Sequence, residues 1–241
     1  MRITGGKAVY GASVGILMLE ARFPRILGDM GNAGTWDFPV LYRVVRDASP
    51  DRVVRKGGEG LLPAFVEAAR SLEADGADGI TTNCGFLALF QEELASSVSI
   101  PVLTSSLMQV RAVNAMLPKG KRAGVLTISR STLTPAHLAA AGVPERTPIG
   151  TTEGGAHFTE AILGDAPDLD PPLAEDDNVS AAMALVRANP DIGAIVLECT
   201  NMTPYASAIR SATGLPVFSM VSFVNWFQGA IRPRRWSFDL H

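Results

Sequence analysis

The chain has 241 residues, 47% hydrophobic and 19% charged, a balance that argues against disorder and for a folded globular protein. Its formal net charge of −3 gives no electrostatic reason to expect nucleic acid or an anionic membrane as partner. No apolar run reaches the ~18–20 residues that span a bilayer. The N-terminus lacks a secretory pattern, so a cytoplasmic location is expected, where the two cysteines are thiols rather than a bridge. Three histidines without Cys-x-x-Cys or His-x-x-x-His spacing argue against a zinc site.

In chain order, Val14 to Leu19 is a continuous apolar run, the mark of a strand covered on both faces. Glu20 to Pro39 is long and punctuated by glycine and proline. Its Phe23, Trp36 and Phe38 suggest an ordered lid. Val40 to Val45 and Val53-Val54 read as extended pieces, and Leu61 to Ala74 as an amphipathic helix stopping before Gly76. A strand at Asp78 to Thr82 follows, then a helix from Phe86 to Ser96, a strand at Pro101 to Thr104 and a helix from Ser106 to Leu117.

The alternation then restarts with a strand at Ala123 to Ile128. Thr134 and Pro135 suit the N-cap and first position of a helix that Gly142 ends. Gly164 to Asp177, rich in proline and acidic residues, reads as a surface loop, and Val179 to Ala188 as a helix. A strand at Gly193 to Glu198 is next, and Thr203-Pro204 opens a helix to Ser211. After a strand at Pro216 to Phe218, Val221 to Ile231 is a last helix with Trp226 and Phe227 available to dock. Alternating strands and helices of this kind specify parallel sheets. The expected fold is therefore α/β: two pseudo-symmetric, doubly wound parallel-sheet domains with the active site in the cleft between them. The first takes residues 1–117 plus 222–241, the second 118–221. The basic cluster Arg232-Pro233-Arg234-Arg235 is read as a solvated terminus or a subunit contact, and Trp236 makes a homo-oligomer an option.

The chain contains one motif twice. Asp78-Gly79-Ile80-Thr81-Thr82-Asn83-Cys84-Gly85 is echoed by Gly193-Ala194-Ile195-Val196-Leu197-Glu198-Cys199-Thr200-Asn201, with the cysteines 115 positions apart (199 − 84). Ile100-Pro101-Val102-Leu103 recurs as Leu215-Pro216-Val217-Phe218 at the same offset. A cysteine where a strand ends and a helix begins meets unpaired N–H groups, which favour thiolate. Two such thiols facing one cleft suit an acid and a base on opposite faces of a carbon. Either cysteine alone would more often be core packing. Beside them, Asn83, Thr200 and Asn201 could hold a substrate carboxylate, Thr82 is half strand and half site, and Asp29 or Asn32 of the lid could read a substrate amine or amide. Glu198 is either a proton partner or an edge carboxylate. Glu153 and His157, four apart, could assist or simply start a surface helix. No Walker, dinucleotide or pyridoxal-type signature is present, so the expected reaction needs no cofactor.

With Thr82-Asn83-Cys84-Gly85 and Glu198-Cys199-Thr200-Asn201, the chain resembles the aspartate/glutamate racemase superfamily over nearly its whole length. That superfamily includes hydantoin racemases, maleate isomerases and arylmalonate decarboxylases. The resemblance implies that Cys84 and Cys199 are the acid/base pair and that Asn83, Thr200 and Asn201 bind the carboxylate of a small substrate. The expectation is a cofactor-independent amino-acid racemase or epimerase. Two alternatives stand beside it: a related isomerase or decarboxylase using one cysteine, and a small-molecule binding protein with inert thiols. The motifs depart from the glutamate racemases, since Gly85-Phe86 follows the first cysteine and Asn201 stands where those enzymes carry histidine.

Overall fold

A computed structural model describes residues 2–236. Residues 1 and 237–241 of the expected first unit lie outside the described residues. Strand β1 (Val14–Leu19) is wholly buried, and its alternate side chains serve two cores. Val14, Ile16 and Met18 face one, with Met30 and Trp36 from the long loop. Leu17 and Leu19 face the other, with Phe65 and Leu72 of helix α1 (Leu62–Asp75). Strands β2 (Val40–Val45), β3 (Gly79–Thr82) and β4 (Val102–Leu103) complete a parallel sheet of order β2-β1-β3-β4. Helices α2 (Gln91–Ser97) and α3 (Val110–Met116) are each preceded by a 3-10 turn, Gly85–Phe90 and Ser106–Gln109.

The second sheet repeats the first. Strands β5 (Arg122–Thr127), β6 (Ile149–Thr151), β7 (Ile192–Leu197) and β8 (Val217–Phe218) pair in the order β6-β5-β7-β8, all parallel. The 115-residue offset seen in the sequence survives in the strand register: Ile80 pairs with Val102 as Ile195 pairs with Val217. Helices α4 (Pro135–Ala140), α5 (Phe158–Leu163), α6 (Pro171–Ala188) and α7 (Ala206–Thr213) flank this sheet. Helix α8 (Met220–Ile231) then returns to the first sheet, where Met220, Val224 and Phe227 cover Val14 and Ile16. Phe227 docks; Trp226 stays exposed. The doubled parallel α/β fold is thus as expected.

Three local expectations are corrected, and two short elements were not foreseen. Val53-Val54 is not extended but lies in a π-helical turn, Asp51–Arg55, with the Ser49 hydroxyl accepting from the Arg52 amide. Half of the supposed loop at Gly164 to Asp177 is the first two turns of α6: the Asp170 carboxylate caps the Leu173 amide, and Pro171 and Pro172 occupy positions where no N–H is needed. Thr203 is no N-cap, because Thr200–Tyr205 is already a 3-10 turn that contains Pro204. Strand β6 and helix α5 are too short to leave a periodic signal. Among the described residues, no helix is long and apolar enough to cross a membrane.

Candidate active site

Strands β3 and β7 run parallel to their sheet neighbours and deliver Cys84 and Cys199 just past their carboxyl ends, where open α/β sheets form crevices. Each cysteine is in extended conformation and caps a 3-10 turn. Both are free thiols, 8% and 7% exposed, lining a single narrow crevice. Its walls are largely apolar, with Phe23, Phe86, Ile128 and Ile162 prominent, and its polar groups are Asn83, Glu198 and Asn201.

The two units are locked together beneath this crevice. The Thr200 hydroxyl donates to the Asn83 carbonyl at 2.6 Å, and the Ser106 hydroxyl donates to the Leu197 carbonyl at 2.5 Å. The Asn83 side-chain oxygen accepts from the Leu19 amide at 2.7 Å, which fixes the orientation of its amide. Among the described residues, no acceptor engages the Asn83 Nδ2, which leaves that donor for a ligand.

Other residues singled out from sequence are committed elsewhere. The Thr82 hydroxyl donates to the Thr104 carbonyl at 2.6 Å, within the sheet. Asn32 donates to the Arg25 carbonyl and accepts from the Gly34 amide, so its side chain shapes the loop. Glu153 accepts from Ser129 and from the amides of Arg130 and Ser131, while the His157 Nε2 accepts from the Asp170 amide; the two are bound to different partners.

Asp29 is buried and accepts from the Arg25 guanidinium at 2.9 Å, from the Gly31 amide at 2.7 Å and from the Asn201 side-chain amide. The Asn201 oxygen in turn accepts from the Cys199 thiol at 3.6 Å. The loop therefore reaches across to the second unit and orients the group beside one sulfur. Gly28, at φ 93°, makes the approach possible, since a side chain there would meet Pro204 at 3.0 Å. Replacing Asp29 with asparagine is expected to strand the mostly buried Arg25 without its counter-ion. Breaking a buried pair costs roughly 3 kcal/mol or more. A urea unfolding midpoint equal to that of the wild type would refute this.

The electrostatics differ from the sequence-based expectation of a thiolate-stabilising strand end. Burial, with the Glu198 carboxylate adding to it, pushes the Cys84 thiol up to about 12, against the pull of the Phe86 and Leu87 amides. Burial also pushes the Cys199 thiol well above its usual range; Glu198, Cys84 and Asp29 add to the rise, and the Asn201 amide opposes it. Amide donors are present, but desolvation outweighs them. Glu198, for which the sequence leaves open a proton partner or a solvated edge carboxylate, is 0% exposed, and burial raises its carboxyl to about 7. The Thr127 hydroxyl donates to its Oε2 at 2.7 Å, whereas Oε1 is buried without a partner. Its position next to Cys199 in sequence was the only available signal. Among the described residues, no group of three His, Cys, Asp or Glu side chains is clustered as a metal site.

The model of the Asp/Glu/hydantoin racemase family matches residues 45–225. Dimethylsulfoniopropionate lyase 7 of Emiliania huxleyi is 31% identical over 91% of the chain and 67% of its own length. Dimethylsulfoniopropionate lyase 3 of the same organism is 33% identical over 88% of the chain, which spans only 58% of that relative's length. A variant of arylmalonate decarboxylase superimposes with a TM-score of 0.60 at 18% identity, covering 94% of this chain and 97% of that one, a likeness of fold alone. These relatives correct the expected enzyme class. The amino-acid racemase read from the paired cysteines is overturned by relatives named as lyases, because the same two thiols serve any reaction that begins by removing a proton beside a carboxylate.

Proposed function

The chain belongs to the Asp/Glu/hydantoin racemase family, and from that premise we propose that it is a lyase acting on a short carboxylate with a sulfonium leaving group at the β-carbon. The observation that carries the reading is the convergence of two thiols, one free amide donor and apolar walls on one narrow crevice. In the proposed reaction, the Asn83 Nδ2 binds the substrate carboxylate and steadies the charge that develops on it. One crevice sulfur, as thiolate, removes the proton next to the carboxylate. The β-carbon–sulfur bond breaks, its electron pair leaves with the neutral sulfide, and a carbon–carbon double bond remains.

Chemistry favours this substrate class over an amino acid. An ammonium group needs hydrogen-bond acceptors; both crevice amide oxygens are already occupied, Asn83 by the Leu19 amide and Asn201 by the Cys199 thiol, and the unpartnered Glu198 Oε1 is closed off from solvent. A dimethylsulfonium group has no N–H to satisfy. It suits the apolar walls, Phe86 among them, where a desolvated cation gains on the order of 2 kcal/mol from an aromatic ring. Incubation with dimethylsulfoniopropionate is expected to release dimethyl sulfide, measured by gas chromatography, and acrylate, measured by proton NMR, in equal amounts. If neither this substrate nor its longer-chain sulfonio-carboxylate analogues yield sulfide, the reading is wrong.

A further inference from the structure

The lyase reading leaves one question open: both thiols are protonated at neutral pH, and something must take a proton before a sulfur can act as a base. Among the described residues that line the crevice, Glu198 alone carries a carboxyl group. It follows the last residue of β7 and precedes Cys199, and its amide is fixed by the Leu126 carbonyl at 2.8 Å. The side chain turns beneath Gly85, the residue after Cys84, so closely that a Cβ at Gly85 would lie 2.2 Å from Oε1. The carboxyl thus lies between the two cysteine-bearing turns. Its Oε2 is anchored by Thr127, and its buried Oε1 has no partner. A buried carboxylate oxygen left unpaired is costly unless it has work to do.

Resting on the lyase reading, we infer that Glu198 is the proton acceptor that ionises the Cys84 thiol, the Cys199 thiol being held by Asn201: the Cys84 S–H bond breaks, the proton passes to Oε1, and the electron pair stays on sulfur. The thiolate then takes the substrate proton and becomes a thiol again, and the protonated Glu198 returns its proton to solvent, so each turnover releases one proton. A carboxyl held by burial at about 7 suits both halves of that cycle. The transfer also avoids two neighbouring buried anions, because the negative charge that holds the thiols up disappears as the thiolate forms. The other ionisable groups facing the site are Arg25 and Asp29, paired with each other on the loop, and His137, which meets Phe86 edge to face and is kept neutral by burial.

The test is the pH dependence of thiol alkylation by iodoacetamide, followed residue by residue by mass spectrometry on the whole protein. In the wild type, the rate is expected to rise to about pH 7 and then level off, because above that pH the carboxylate is always available as acceptor. In Glu198→Gln, the rate should climb about tenfold per pH unit with no plateau, as for an uncoupled thiol. In Thr127→Val, the carboxyl loses the donor that lowers it, and the plateau should begin at higher pH. This second variant keeps the question answerable if Glu198→Gln fails to fold. Superimposable profiles for wild type and either folded variant would overturn the inference. Alkylation needs no substrate, so its outcome stands apart from sulfide release by the wild type, which tests the lyase reading itself.

Discussion

Cys84→Ala, which removes the sulfur that acts as base, is expected to lower the rate of sulfide release from dimethylsulfoniopropionate by about 10²–10⁴-fold, the usual contribution of one positioned proton-transfer group, and Cys199→Ala is expected to lower it by less. Both sulfurs line the crevice, both are nearly buried, and Cys84 adds to the rise of the Cys199 thiol. The side-chain volume removed is small, so folding should survive, and thermal unfolding of the variants would confirm that the loss lies in chemistry. The loss should fall on kcat with little change in KM, because the carboxylate donor on Asn83 is untouched. In deuterium oxide, a variant that keeps its base but not the second thiol would still exchange the proton beside the carboxylate. Full sulfide release by Cys84→Ala would reduce that cysteine to a wall residue and dismiss its role as the thiolate base.

What could be read in advance follows from how information is stored along the chain. The doubled motif and its 115-residue offset specify two equivalent sheets, since each short apolar run bounded by turn residues recurs at the same place in both halves. The 3-10 turns after both cysteines were read as helix starts, because the apolar residues of Gly85–Phe90 are compatible with either period. Asp170 and the prolines that open α6 resemble a loop until their capping role is seen. At the site, residue type and spacing singled out the cysteines and Asn83, whereas partner choice was invisible. Thr200 and Thr82 are bound to backbone carbonyls, and Asp29 reaches Asn201 across 172 residues of sequence. Burial was the deepest blind spot. A strand end next to unpaired amides favours thiolate, yet in the folded protein desolvation reverses the sign and moves attention to Glu198. Enzyme class could not be read from the thiols at all, since removing a proton beside a carboxylate is the first step of inversion and of elimination alike.

Gly85→Ala should be disabling although it adds one methyl group. Gly85 is buried, and the new Cβ would stand 2.2 Å from Glu198 Oε1, 2.4 Å from its carbonyl oxygen and 3.0 Å from its carboxyl carbon. The carbonyl belongs to backbone that the Ser106 hydroxyl holds at 3.2 Å, and the Glu198 amide is bonded to β5, so the strand cannot yield. The carboxyl is anchored through Thr127 and has no free volume to enter. Relief must come from moving the turn that carries Cys84 away from β7, which widens the crevice and separates the thiols from Glu198. Overpacking of this kind costs about 1–3 kcal/mol, and more where backbone is the obstacle. For a chain of this size that corresponds to a fall in Tm of roughly 2–12 °C. Sulfide release should fall together with stability, and the alkylation plateau should disappear as the carboxyl is displaced. A Gly85→Ala protein that melts within a degree of the wild type and keeps its rate would mean that Glu198 does not lie beneath this turn, and the placement of the proton acceptor would fail with it.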